Sequence, residues 1–162
     1  VCTDYLKYEP TERFDLVTLI MYDFCALGPA QRKSLLTRIS ACLKQGGALL
    51  LDVYSMTAFK ERETTAYLEK NQLDHFWCED EYYCFVTTFK YDAQAVTLDK
   101  YSVFTRGGAS ETIYNWLQYF SPDTLCDELR DAGLVKRFLL GDVAGRSFSD
   151  DLPEFAVIAE RV

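Results

Sequence analysis

The sequence predicts an α/β domain in which a parallel strand pair is followed by an antiparallel insert. Three observations predict it: two apolar segments joined by an amphipathic one, an aromatic-rich region broken by turn signals, and a capped helix followed by two further apolar segments. At this length, residues 1–162 are expected to form a single domain, with residues 76–120 as the antiparallel insert.

The parallel pair is predicted from residues 14–54. Residues 14–20 are almost continuously apolar, which is typical of a strand buried on both faces. Pro29 suits the first turn of a helix whose apolar positions repeat at helical spacing, and the glycines at 46–47 are expected to end it. Residues 48–54 form a second apolar strand, so the segment predicts a βαβ crossover.

The insert is predicted as a three-stranded meander. Its expected strands cover residues 76–91, 95–106 and 111–120, separated by a turn at 92–94 and by Gly107 and Gly108. Residues 57–69, which precede it, are expected to be helical.

The C-terminal segment begins with a helix. Ser121 and Pro122 are typical of a helix N-terminus, and Gly133 ends the helix. Residues 135–140 and 154–160 are predicted to close the chain as an antiparallel strand pair. At the other end, residues 1–6 are interpreted as the end of a strand.

Composition and charge argue against several classes of function. The net charge of −8 disfavours nucleic acid as a partner, and no apolar segment approaches the length of a membrane span. Six cysteines without a C-x-x-C pair indicate buried free thiols in a reducing cytoplasm. With His75 as the single histidine, neither a metal site nor a Ser/His/Asp triad is expected.

Short motifs and the order of elements resemble a class I S-adenosylmethionine-dependent methyltransferase. The motifs are F-D-L-V at 14–17, Y-D-F-C-A-L at 22–27, L-K-Q-G-G-A-L-L-L-D-V at 43–53, N-W at 115–116 and F-S-P at 120–122. In the third motif, Gln45 stands where the family usually has proline. The resemblance implies a Rossmann-like half-sheet in a three-layer αβα arrangement, carrying the three-stranded antiparallel insert.

The implied function is methyl transfer from S-adenosylmethionine to a small-molecule acceptor in the cytoplasm. The family's Gly-rich loop after the first strand, and the acid that ends its second strand, have no counterpart in these residues. We therefore expect the chain to be a C-terminal fragment of the intact enzyme, with an incomplete cofactor site.

The resemblance also implies site residues. Those expected to contact the cofactor lie near the chain start or directly after the first predicted parallel strand, where ligands bind in α/β sheets: Asp4, Tyr5, Tyr22, Asp23 and Phe24. Those expected to contact the acceptor end the next strand or lie in the insert: Tyr54, Ser55, Trp77, Tyr114 and Trp116. The alternatives are core packing for Tyr5 and the insert aromatics, a solvated loop for Asp4, a helix cap for Asp23, and a surface turn for Tyr54 and Ser55.

Two other functions are considered. A non-catalytic module could form a homodimer, or complement a partner, through an exposed edge of the strand at 14–20. A dehydrogenase half is disfavoured by the antiparallel closing strands and by the turn at 43–47.

Overall fold

The computed structural model describes residues 2–162, which contain two four-stranded sheets. The helices are α1 (Pro29–Cys42), α2 (Met56–Glu61) and α4 (Pro122–Asp131), with 3₁₀ turns at Asp23–Ala26 and Asp92–Gln94. The single turn labelled α3 (Gln72–His75) is not a regular α-helix, because Leu73, Asp74 and His75 have positive φ. The strands are β1 (Phe14–Leu19), β2 (Leu43–Tyr54), β3 (Thr65–Lys70), β4 (Tyr82–Tyr91), β5 (Val96–Thr105), β6 (Ser110–Gln118), β7 (Leu134–Leu140) and β8 (Glu154–Arg161). One compact unit comprises the residues up to Phe59 together with Tyr119–Val162, and the other comprises Lys60–Gln118.

The first unit contains the sheet β1-β2-β8-β7. β1 and β2 are parallel, with Leu19 opposite Leu51, and α1 connects them. β8 runs antiparallel to both β2 and β7. The predicted crossover and the predicted closing strand pair are therefore both confirmed.

Two details of the crossover differ from the prediction. β1 is an edge strand whose Leu16 is 55% exposed, so burial on both faces was wrong. Helix α1 ends at Cys42, and β2 then runs through both glycines because residues from Leu43 onward pair with β1. A Cβ on Gly47 would lie 2.9 Å from the carbonyl oxygen of Lys44 and 3.0 Å from that of Phe14, so this close approach requires glycine.

The core of the first unit lies where the helices cover this sheet. Its fully buried side chains include Leu36, Leu43, Leu49, Leu51, Val53, Leu125, Leu129, Leu134 and Phe155. Helix α4 begins as predicted, because the hydroxyl of Ser121 accepts a hydrogen bond from the Thr124 backbone N–H. Gly133 follows its end in the left-handed conformation.

The second unit contains the antiparallel sheet β3-β4-β5-β6. The insert therefore has four strands rather than three, because β3 pairs with β4 where the sequence predicted a helix over 57–69. Helix α2 ends at Glu61. Every residue of β3 is exposed, so this strand has no buried apolar face from which alternation could have predicted it.

The N-terminal segment is a turn rather than a strand. Residues 2–4 have no regular structure, residues 5–7 form a turn, and the Leu6 N–H donates to Asp4 Oδ1 at 2.9 Å. The strand end predicted at residues 1–6 was therefore wrong where the structure describes the chain; Val1 lies outside the described residues.

All six cysteines are free thiols, as expected, but only Cys25 and Cys84 are fully buried and Cys2 is exposed. Within residues 2–162, no helix combines the length and the apolar character that crossing a membrane requires.

Candidate functional site

A strained turn follows β1 at the carboxyl edge of the parallel strands. Met21 and Tyr22 both adopt the left-handed conformation, with φ of 69° and 62°, which costs about 1–2 kcal/mol for each non-glycine residue. The buried carboxylate of Asp52 on β2 compensates by accepting both backbone N–H groups, from Met21 at 3.3 Å and from Tyr22 at 3.0 Å. The turn is thereby held in one conformation at the edge where α/β sheets bind ligands.

Two tyrosine rings stack beside this turn. The rings of Tyr22 and Tyr54 lie 4.2 Å apart with an interplanar angle of 22°. The Tyr22 hydroxyl donates a hydrogen bond to Glu154, which lies opposite Tyr54 in the β2–β8 register. This hydrogen bond, followed by burial, raises the pKa of Tyr22 well above its usual range, so the hydroxyl stays protonated and cannot act as a general base near neutral pH.

Contacts with Cys25 and Tyr119 fix the position of Tyr54. Its backbone N–H donates to the Sγ atom of Cys25 at 3.3 Å, and its ring lies 5.9 Å from that of Tyr119. Burial raises the pKa of Tyr54, and burial also raises the pKa of the Cys25 thiol to about 12. Cys25 is therefore a structural thiol rather than a nucleophile.

The hydroxyl of Ser55 has a structural role at the start of α2. It donates to the Leu152 carbonyl oxygen at 2.6 Å and accepts from the backbone N–H groups of Thr57 and Ala58. Ser55 is therefore the cap of the helix, with its donor and acceptor capacity taken up locally.

Phe24 belongs to the core, and its contact with a cofactor remains a prediction. Its side chain is fully buried, 5.6 Å from the ring of Phe120. The guanidinium of Arg32 lies over both rings and makes a two-pronged contact with Glu128, with nitrogen–oxygen distances of 2.8–3.1 Å. Asp23, by contrast, is exposed at the start of the 3₁₀ turn.

Asp4 and Tyr5 lie near the same end of β1. Burial raises the pKa of Tyr5, and the nearby charges of Asp23 and Asp4 raise it further. Tyr5 also lines an apolar cavity of about 180 Å³ with Val17, Leu19 and other residues. Tyr5 thus lies within electrostatic range of Asp4 and Asp23. One Asp4 oxygen already accepts the Leu6 N–H, and the other lies 3.6 Å from the Lys7 ammonium.

The three predicted acceptor residues of the insert divide into two groups. Trp77 donates from Nε1 to the Gln72 side chain at 2.8 Å and packs against the core of the second sheet. Tyr114 and Trp116 lie on the opposite, exposed face of that sheet. Their contact with an acceptor remains a prediction.

Sequence reasoning missed two residues of this edge, Asp52 and Glu154. Asp52 had a signal, because it is the one charged residue in an otherwise apolar strand segment at 48–54. Glu154 had none, since its proximity to Tyr22 depends on the pairing of β2 with β8, one hundred residues later in the chain.

Comparisons with known proteins agree with this architecture. No family model and no curated protein matches the sequence. The CcbJ methyltransferase from Streptomyces caelestis is 17% identical with a TM-score of 0.72, covering 100% of this chain and 63% of its own. An S-adenosylmethionine-dependent methyltransferase from Clostridium acetobutylicum is 14% identical with a TM-score of 0.72, covering 99% and 63%.

An amino pentose methyltransferase from Micromonospora echinaspora, involved in calicheamicin biosynthesis, is 20% identical with a TM-score of 0.56, covering 99% and 63%. The chain thus spans less than two thirds of the length of these similar structures. Over the part that it covers, the chain has the class I S-adenosylmethionine-dependent methyltransferase fold.

Proposed function

We propose that the protein transfers a methyl group from S-adenosylmethionine to an amine on a small-molecule acceptor. The observation that carries this proposal is the Tyr22–Tyr54 stack, held by Asp52 and Glu154 at the carboxyl edge of the parallel strands. The fold makes this edge the expected ligand site. When bound, S-adenosylmethionine supplies an electrophilic methyl group on a positively charged sulfur.

The residues at this edge fit a cationic ligand. Aromatic faces attract cations, and the two ionisable side chains that accept hydrogen bonds from Tyr22, Asp52 and Glu154, are both acidic. Asp23 adds a third, exposed acid nearby. Such an edge suits the sulfonium of the cofactor and also an acceptor amine, and one of the similar structures is an amino pentose methyltransferase.

Each residue has a distinct role in the proposal. The tyrosine rings form the flat wall beside the reacting groups, while Asp52 fixes the turn that carries Tyr22. Because the Tyr22 hydroxyl stays protonated and donates to Glu154, it does not remove a proton from the acceptor. Its role is to hold the Tyr22 ring in position. The chain contributes orientation and exclusion of water. An amine that binds as the cation must lose one proton to solvent before its nitrogen lone pair can attack the methyl group, since only the neutral amine is nucleophilic. Asp4 and Tyr5 are assigned to the adenine end.

The test is chemical-shift mapping of the isotope-labelled chain with S-adenosylhomocysteine at up to millimolar concentration. We expect weak binding, with the largest shifts at Tyr5, Tyr22 and Tyr54. Tyr22→Ala should abolish the response because it removes the stacked wall, whereas Tyr22→Phe should retain it. Shifts confined to other parts of the chain, or no response at all, would contradict the proposal.

A companion experiment addresses the acceptor. Amino sugars and their hydroxyl analogues are titrated in the presence of S-adenosylhomocysteine, with the shifts of Tyr54 as the readout. We expect the amine to bind more tightly than the hydroxyl compound because it is the cationic one. Equal or reversed affinities would leave the methyl transfer proposal intact and refute the amine assignment.

A further inference from the structure

The face of the second sheet that carries its core is polar at one end. Thr65, Thr88, Asp99 and Asn115 lie opposite one another on the four strands and form a polar row. Thr88 and Asp99 are buried, and Asn115 is half-buried. The neighbouring positions of the same face hold apolar and aromatic side chains. Because buried polar groups cost free energy unless they are paired, the hydrogen bonds of the polar row have to be accounted for one by one.

Asp99 carries the negative charge of the polar row. Its side chain is only 8% exposed, and Nη2 of Arg62 donates to both of its oxygens, at 2.5 Å to Oδ1 and 2.6 Å to Oδ2. The Thr88 hydroxyl donates to Oδ1 at 2.6 Å. Oδ1 therefore has two donors and Oδ2 has one. Since each carboxylate oxygen can accept about two hydrogen bonds, Oδ2 retains one unused acceptor position.

Two neighbours of Asp99 retain unused hydrogen-bonding groups. The Nε–H of Arg62 is buried and has no acceptor among residues 2–162. The side-chain amide of Asn115 makes no hydrogen bond within the part of the chain that the structure describes. Asn115 is the direct cross-strand partner of Asp99, so their Cβ atoms lie about 5 Å apart on the same face. An unused acceptor and several unused donors therefore adjoin one another.

This combination of donors and acceptors selects the chemistry of a ligand. A carboxylate only accepts hydrogen bonds and would oppose the charge of Asp99, whereas an ammonium only donates and would leave the Arg62 Nε–H unpaired. A hydroxyl group both donates and accepts, so adjacent hydroxyl groups match Asp99 and Asn115 together. Tyr101, two positions along β5 on the same face, adds an aromatic ring beside them.

We propose that Asp99 and Asn115, supported by Arg62 and Thr88, bind adjacent hydroxyl groups of a small polyhydroxylated ligand. Asp99 accepts from one hydroxyl through Oδ2, and the Asn115 amide pairs with the next. Asn115 and Arg62 are the exposed sides of this site, since the Arg62 side chain is 37% exposed. That the ligand is the methyl acceptor rests on the proposed function, whereas the binding of hydroxyl groups does not.

Titration of the isotope-labelled chain with cyclic alcohols tests this assignment, with the side-chain amide resonances of Asn115 as the readout. The cyclohexanediol with adjacent cis hydroxyl groups should shift these resonances and bind about tenfold more tightly than cyclohexanol, which has the same ring and one hydroxyl. In Asn115→Ala, followed through the backbone resonances of Thr88 and Asp99, the affinity for the diol should fall to that for cyclohexanol. Arg62→Lys keeps the positive charge but removes Nε, so it should weaken diol binding severalfold and serves as a second variant if the first fails to fold.

Thr112→Ala is the matched control, because it shortens an exposed polar side chain on the opposite face of the same strand. Its affinity for the diol should equal that of the wild-type protein. Equal affinities for the diol and cyclohexanol, tighter binding of cyclohexylamine or cyclohexanecarboxylate, or undiminished diol binding in the Asn115 and Arg62 variants would overturn the proposal. Because S-adenosylhomocysteine is absent from these titrations, their failure is distinguishable from a failure of the proposed methyl transfer.

Discussion

Replacing Asp52 with asparagine should destabilise the protein through the turn that carries Tyr22. The carboxylate accepts two backbone N–H groups in a buried position. Asparagine keeps one acceptor oxygen but turns an amide donor toward the second N–H. A hydrogen bond to a charged acceptor contributes about 1.5–3 kcal/mol, so we expect the free energy of unfolding to fall by about 2–3 kcal/mol.

Urea denaturation followed by circular dichroism measures this change, and the melting temperature should fall by roughly 5–10 °C for a chain of this size. Asp15→Asn is the control, because Asp15 lies exposed on β1 and pairs with Lys44 at the surface. This variant should leave stability almost unchanged, since exposed ion pairs contribute little.

Adding Met21→Gly tests whether the loss acts through the left-handed turn. Glycine adopts positive φ without steric cost, so the double variant should recover about 1 kcal/mol relative to Asp52→Asn alone. The explanation would be refuted if Asp52→Asn stayed within about 0.5 kcal/mol of wild type, or if Met21→Gly made the variant less stable.

Three further predictions concern packing and pH. Gly47→Ala should cost about 1–3 kcal/mol in urea denaturation because its Cβ meets backbone atoms, whereas Gly107→Ala, with open space around it, should cost almost nothing; equal losses would contradict this. Arg32→Leu should cost about 3 kcal/mol in the same assay because it leaves Glu128 without its buried partner, and a neutral result would show that the pair is dispensable. The pKa of Tyr22 is raised on folding, so its contribution to stability is complete below pH 10 and declines as pH rises further; Tyr22→Phe should flatten that decline, and an unchanged pH profile would count against the hydrogen bond to Glu154.

Local chemistry explains which elements the sequence could predict. The crossover from β1 to β2 and the start of α4 follow from apolar periodicity, proline and capping residues that lie close together in the chain. β3 escaped prediction because all its residues are exposed, and its partner β4 begins more than ten residues later. The end of α1 was placed too late because pairing with β1 outweighs the glycine signal at 46–47.

In the candidate site too, the residues that the sequence could predict are those whose position depends on local sequence alone. Tyr22 and Tyr54 could be predicted because each directly follows or ends an apolar strand, so its place at the edge depends on one local assignment. Phe24 lies in the core although it is only two residues from the edge position of Tyr22, because the 3₁₀ turn directs its ring toward Phe120. Glu154 required the β2–β8 register, which no local pattern specifies.

The strained turn after β1 fixes the orientation of the Tyr22 side chain at the sheet edge. Two consecutive non-glycine residues in the left-handed conformation persist only where surrounding contacts determine them, and Asp52 supplies those contacts from the neighbouring strand. The same turn presents the Tyr22 ring to Tyr54 and its hydroxyl to Glu154, so that all three strands β1, β2 and β8 fix one side chain. Under the proposed function, this wall is preorganised before the ligand arrives, which lowers the ordering cost of binding a flat or cationic group against it.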